Sequence, residues 1–184
     1  GNGIQSPSST ASGSSSTAMG HFTTASGDYS TAMGYNSEAS GIASSAMGER
    51  TTASGDFSTV MGRETTASGN WSTAMGYGTT ASGIVSTAMG QNTIASGDTS
   101  TAMGYLTTAS GRRSTAMGEE TIASGVYSTA MGTYTTAVDF LTVALGAHNK
   151  IEKPPNPNEF SFQNTAFVIG NGGFANDGSY IGTP

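Results

Sequence analysis

There is no cysteine in this 184-residue chain, which excludes disulfide bonds and thiolate metal sites. Charge is scarce: Asp, Glu, Lys and Arg make up 10% of the residues, against roughly 25% in an ordinary globular domain. Only six residues are Lys or Arg and the net charge is −6, so there is no footprint for nucleic acid or for an anionic membrane surface. No apolar run approaches the ~20 residues that a membrane span needs. The chain opens Gly1-Asn2-Gly3 without Met or a signal peptide, and it reads as a processed product or a piece of something longer.

Gly, Ala, Ser and Thr dominate instead, and they fall in strict order. One fourteen-residue phrase, Ser-Thr-Ala-Met-Gly-x-x-Thr-Thr-Ala-Ser-Gly-x-x, runs from Ser16 almost without a slip to Gly132. Ala stands at every seventh position from Ala11 to Ala144, with Val60 the one replacement, and Gly follows two residues later except at Asp139. The residue between them alternates between Ser and Met. All nine methionines occupy that slot: Met19, Met33, Met47, Met61, Met75, Met89, Met103, Met117 and Met131. Low-complexity composition often means disorder, but a disordered linker has no reason to hold Met in one phase. The period marks a solenoid, one layer per repeat.

Each layer offers two short segments separated by Gly-x-x, which leaves no room for a helix. The β-branched Thr and the period of two favour strand, so two five-residue strands per layer are expected. Gly supplies the positive φ or tight geometry at the corners. About ten layers at ~4.8 Å give a rod on the order of 50 Å long. The slot two before Ala is always Ser or Thr; with Ala and Gly it makes a face of small residues, expected inside a thin roll, with the hydroxyls bonding buried backbone groups. On the opposite face, the Ala-Ser-Gly segments accept Thr24, Glu38, Thr52, Ile94 and Ile122 at one slot, which reads as solvent-exposed. The Ala-Met-Gly segments carry Thr or Ser beside Met, turning to Val143 and Leu145 in the last layer. That face reads as buried although the inside of the roll is taken, so the Met faces of several chains are expected to meet on a common axis.

Ser-Thr-Ala-Met-Gly, and more closely Thr142-Val143-Ala144-Leu145-Gly146, resembles the Ser-Val-Ala-Ile-Gly motif of YadA-like heads in trimeric autotransporter adhesins, and Thr23 to Gly27 is similar to their second half-repeat. The resemblance covers Ser9 to Gly146. It implies an all-β fold, a left-handed parallel β-roll of about ten coils, with three identical chains wound together. Met for the family's usual Ile, and Thr for Val, would give a softer and more polar trimer core.

The organisation expected is a lead-in over residues 1–8, a repeat head over 9–146, and a linker with a neck-like strand over 147–184. Val138, Asp139, Phe140 and Leu141 break the pattern as a terminal capping layer would. Pro154, Pro155 and Pro157 mark a linker that cannot pair as a central strand. Phe160 to Ile169 reads as one more strand, with turns at Asn171-Gly172-Gly173 and Asp177-Gly178. Phe167 to Gly172 resembles the piece that joins such heads to a stalk or to a self-cleaving chaperone domain.

Catalysis has little to stand on. His21 and His148 lie nearly a whole stack apart, and Ser recurs because the architecture uses it, so no enzyme, no cofactor and no metal site is expected. Asp28, Asp56 and Asp98 read as solvated corner acids. Variation is concentrated at the corners, where Tyr29, Phe57, Trp71 and Tyr127 follow one segment and Phe22, Tyr35, Tyr77, Tyr105 and Tyr134 the other. Packing as ladders between layers is one reading. The other is a sticky lateral surface, with Tyr35, Trp71, Tyr77 and Tyr105 as its candidates. Functionally, the trimer resemblance implies an extracellular adhesin or fibre head that binds a glycan, matrix protein or cell surface. Two alternatives stay open: ice binding by Thr-x-Ser ranks such as Thr52 and Ser54, and a passive spacer in a fibre.

Overall fold

The structure is a computed structural model that describes residues 3–149, 156–161, 163–171, 173–174 and 180–181. Each fourteen-residue period makes one turn of a parallel β-solenoid. One strand of the turn is long, from Thr17–His21 and Thr31–Tyr35 to Val143–Ala147; the other is short, from Thr10–Ala11 and Thr24–Ala25 to Thr136–Ala137. The long strands stack in parallel register into a twelve-stranded sheet that begins with Ile4–Gln5 and ends with Phe167–Asn171, and the short strands form a ten-stranded sheet.

The strands are therefore unequal, not five and five. In the Met half, the ladder runs through Gly34 (φ +118°) to Tyr35. In the Ser half the chain leaves the ladder straight after Ala25, in a turn closed by the Ser30 N–H donating to the Gly27 carbonyl at 3.2 Å. Between the sheets, every seventh residue from Ala18 to Ala144 is fully buried, Val60 included. The Ser and Thr of the inner face are buried beside them, as their small size requires. Their expected bonds to backbone form only in places. Ser16 Oγ donates to Gly13 O at 2.8 Å and Ser44 Oγ to Gly41 O at 2.7 Å. Ser30, Thr65 and Thr79 have no partner for their hydroxyls. The reason is that the ladder already satisfies the backbone: Ser30 O accepts from Thr17 N–H at 2.9 Å, and Thr65 O from Thr52 N–H at 2.9 Å.

The corners revise the role of glycine. Gly27 has no positive φ; it is needed because a Cβ there would lie 2.0 Å from the carbonyl oxygen of Gly41 in the next layer. The left-handed conformation falls instead on the second corner residue, whatever its side chain: Tyr29, Arg50, Trp71, Val85 and Thr99 all have φ between 52° and 60°. Each is held there by a ladder bond from the previous turn, such as Trp71 N–H to Asp56 O at 2.8 Å and Val85 N–H to Asn70 O at 2.9 Å. A β-branched residue in this region is strained by about 1–2 kcal/mol, and Asn tolerates it. Val85→Asn is expected to raise stability by about 1 kcal/mol, a melting rise of roughly 2–4 °C that calorimetry can read.

The end of the roll is fastened by Asp139, the residue standing in a Gly slot. Its carboxylate is buried and accepts from Asn156 N–H at 2.7 Å and Thr165 N–H at 2.9 Å. Asn156 and Pro157 lie along the last corners, their carbonyls accepting from Phe140 N–H (2.9 Å) and Val126 N–H (2.8 Å). A proline can pair in this way because Pro157 has only to accept. Residues 150–155 of the linker lie outside the described residues. The strand read from Phe160 to Ile169 is Phe167–Asn171, whose Val168 and Gly170 fall in register with Ala144 and Gly146. Ile4–Gln5, in the stretch read as lead-in, likewise joins the sheet against Thr17–Ala18. Of the predicted turns, Gly172 and Asp177-Gly178 lie outside the described residues; Gly173–Phe174 and Tyr180–Ile181 pair antiparallel. Restoring the repeat residue with Asp139→Gly removes two charge-assisted bonds. Amide exchange at Val168 to Gly170 is then expected to quicken by ~10-fold or more, with the earlier layers unchanged.

Candidate assembly and attachment surfaces

Strand alternation puts the residue after each inner Ala on the outside of the roll. On the long-strand sheet that residue is Met, and the register sets Met over Met: Met19, Met33 and Met47, then Met61, Met75 and Met89, then Met103, Met117 and Met131, ending on Leu145. Each thioether leans on those above and below, so most of the column is half-buried, as are Val143 and Leu145. No described part of the chain covers the column: Met19 is 50% exposed and Met61 38%. The face also extends further than the repeat does. Phe167 and Ile169 pair beside Val143 and Leu145 and stand 57% and 62% exposed, and Ile4 is exposed at the other end. The signal was present in the sequence, since Phe-Val-Ile-Gly fills the slots of Thr-Ala-Met-Gly. The opposite, short-strand face carries Thr24, Thr52, Thr66 and Thr80 in line, with Glu38, Ile94 and Ile122 exposed among them.

The four candidate adhesive residues are not brought together. Tyr35, Tyr77 and Tyr105 end Met-bearing strands, two residues from the Met column, and are exposed. Trp71 stands at the other corner of the roll, 56% exposed, its ring stacked on Phe57 at 5.8 Å and 3°. Ladders recur elsewhere: His21 on Tyr35 (5.8 Å), Tyr134 on His148 (4.7 Å), Arg63 over Tyr77 (5.7 Å) and Arg113 over Tyr127 (5.2 Å). The aromatics thus pack between layers and still face water. Glu120 beside Tyr134 donates no proton but accepts from its hydroxyl at 3.1 Å, and this carboxylate holds the phenol above its usual range. Glu49, Arg50, Arg63 and Glu64 form an exposed cluster across two layers, Arg50 to Glu64 being the shortest contact at 3.1 Å. Exposed pairs of this kind contribute about 0.2–1 kcal/mol each.

A sequence profile of the YadA head domain repeat matches residues 11–37, 39–65, 53–79, 67–93, 81–107 and 109–135, more than half of the chain. The chain belongs to the YadA head repeat family. Among curated proteins, none matches it. Each matched stretch holds two copies of the YadA head repeat, one short and one long strand apiece, so the family's signature here is the stacked layer itself.

Within these YadA head repeats one set of residues has a role beyond solvation. Asp28 Oδ1 accepts from Ser14 N–H at 2.8 Å, Asp56 Oδ1 from Ile42 N–H at 2.9 Å, and Asp98 Oδ1 from Ile84 N–H at 3.0 Å. Asn70 Oδ1 does the same for Asp56 N–H at 3.1 Å. Each side chain caps the first corner amide of the preceding turn, a donor the backbone ladder leaves over. Their shared place, directly after Ser-Gly, is the sequence signal for this.

Proposed function

We propose that the chain is the head of a trimeric surface adhesin or fibre, three copies packed through the Met column and displayed outside the cell to attach it to a host, matrix or neighbouring surface. The observation that carries the reading is the apolar column from Met19 to Ile169, continuous along one face and uncovered among the described residues, opposite a face rich in Thr and Ser. An exposed apolar strip of this length on a soluble protein marks an interaction surface. The family resemblance supplies the number three and the left-handed coil. In this arrangement the corners and the short-strand face look outward and are the parts that meet a partner; no residue is assigned a catalytic role.

Attachment is tested with beads coated in the intact chain and laid on cells and matrix. Trp71→Ala is expected to lower adhesion several-fold at an unchanged melting curve; unfolding of the variant would assign Trp71 to the ladder alone. The in-register Thr52, Thr66 and Thr80 favour one second reading, an ice-binding face. Thermal hysteresis in dilute solution would establish it, and its absence leaves attachment as the reading.

A further inference from the structure

The outward corner and the short-strand face meet along a shallow channel, and over three successive turns that channel becomes a hollow of about 190 Å³. Phe22 and Thr24 come from the first turn, Asn36 and Glu38 from the second, Arg50 and Thr52 from the third. The repeat builds this shape by translation, and the departures from the repeat supply the chemistry. Glu38 occupies the slot that holds Thr24 and Thr52 in the strands on either side. Among the described residues its carboxylate joins no ion pair and no side-chain hydrogen bond, and the same is true of the Asn36 amide and of both Thr hydroxyls. Arg50 is fixed by Glu64 at 3.1 Å. The Phe22 ring, 57% exposed, makes an apolar wall at one end and is braced by His21 at 3.9 Å and Tyr35 at 6.3 Å.

We propose that this hollow binds one neutral sugar residue, a hexose, through its hydroxyls and one C–H face. A carboxylate, an amide and hydroxyls on adjacent turns offer both acceptors and donors to the hydroxyls of a sugar ring, and an aromatic wall suits the apolar face of a pyranose. With Arg50 already paired to Glu64, the unpaired carboxylate of Glu38 disfavours an anionic ligand and suits hydroxyl donors. The volume falls below the ~300 Å³ at which drug-sized pockets begin, so it accommodates a single ring and not an extended chain. The inference rests on the attachment reading and names its ligand class.

The test uses the intact chain and the methyl α- and β-glycosides of glucose, galactose and mannose, observed by saturation-transfer NMR. At least one glycoside is expected to receive saturation, with binding weakened ~10-fold or more in Glu38→Thr and in Phe22→Asn, the loss of a hydrogen bond to a charged group or of the wall. Both substitutions keep the fold: Thr is the repeat's own residue at that slot, and Asn accepts the left-handed φ of position 22. No transfer to any glycoside at millimolar concentration, or equal transfer in Glu38→Thr, would overturn the proposal. A parallel arm lays coated beads on glycoprotein surfaces before and after enzymatic deglycosylation. Adhesion lost with the glycans supports the sugar site as the contact. Adhesion that survives deglycosylation, in a chain that takes up no glycoside, overturns the sugar site and leaves attachment standing.

Discussion

Gly76→Ala is expected to cost more than about 4 kcal/mol, a loss shared in kind by the other glycines that follow Met. Two terms add. At φ +122° a side chain is strained in itself, and the new Cβ would lie 1.9 Å from the carbonyl oxygen of Gly90. That oxygen belongs to the ladder, so it cannot turn away without breaking the stack. Because each layer contacts only its neighbours, the damage is expected to divide one melting transition into two. Two positions along, Gly78→Asn is the control. Its φ is +64°, other layers carry Asn36 and Asn92 at the same place, and the one atom a new Cβ would crowd, Asn92 Oδ1, ends a side chain that can turn aside, so the change is expected to stay within about 1 kcal/mol. Calorimetry on the pair separates the close approach from a general intolerance of side chains.

The double variant Met75→Glu, Met89→Glu is expected to release single chains. In the proposed trimer it places six carboxylates on the axis, where each loses about 1.5–3 kcal/mol of apolar burial and adds the cost of a desolvated charge. Sedimentation equilibrium should then report one third of the wild-type mass. Thr66→Glu, on the opposite sheet, should leave the mass unchanged. If the double variant stays trimeric, or if the wild type already sediments as a stable single chain at micromolar concentration, the Met column is not the seam and the proposed assembly falls.

Sequence alone was informative where side-chain size decides the structure. Ala every seventh residue, flanked by Ser or Thr, could only line a narrow interior, and it does. A Met column on the other side of the same strands followed from alternation. What escaped were features fixed by backbone bonds between layers. Tyr29, Trp71 and Val85 share no preference that would announce a left-handed φ; the amide of each is captured by the previous turn while the side chain points away to solvent. The unequal strands have a similar cause, since the Gly after Met carries the ladder through the corner and the Gly after Ser does not. Asp139 was recognisable as a break in the pattern, but its partners stand 17 and 26 residues further on. Phe167 and Ile169 were visible in principle, because Val168 and Gly170 keep the spacing of Ala and Gly. The stretch between the last repeat and that strand hid the correspondence. For the candidate surface, the hollow at Glu38 depends on side chains fourteen residues apart coming side by side, and reading along a single turn does not show it.

The stacking of interchangeable turns makes the roll a ruler with a fixed graduation. Removing residues 80–93, one whole period, joins equivalent backbone to equivalent backbone and leaves the cross-section as it was. The reach of the tip can therefore lengthen or shorten in steps of ~4.8 Å without redesign of any interface. The aromatic and acidic corners would travel up or down with it as movable fittings.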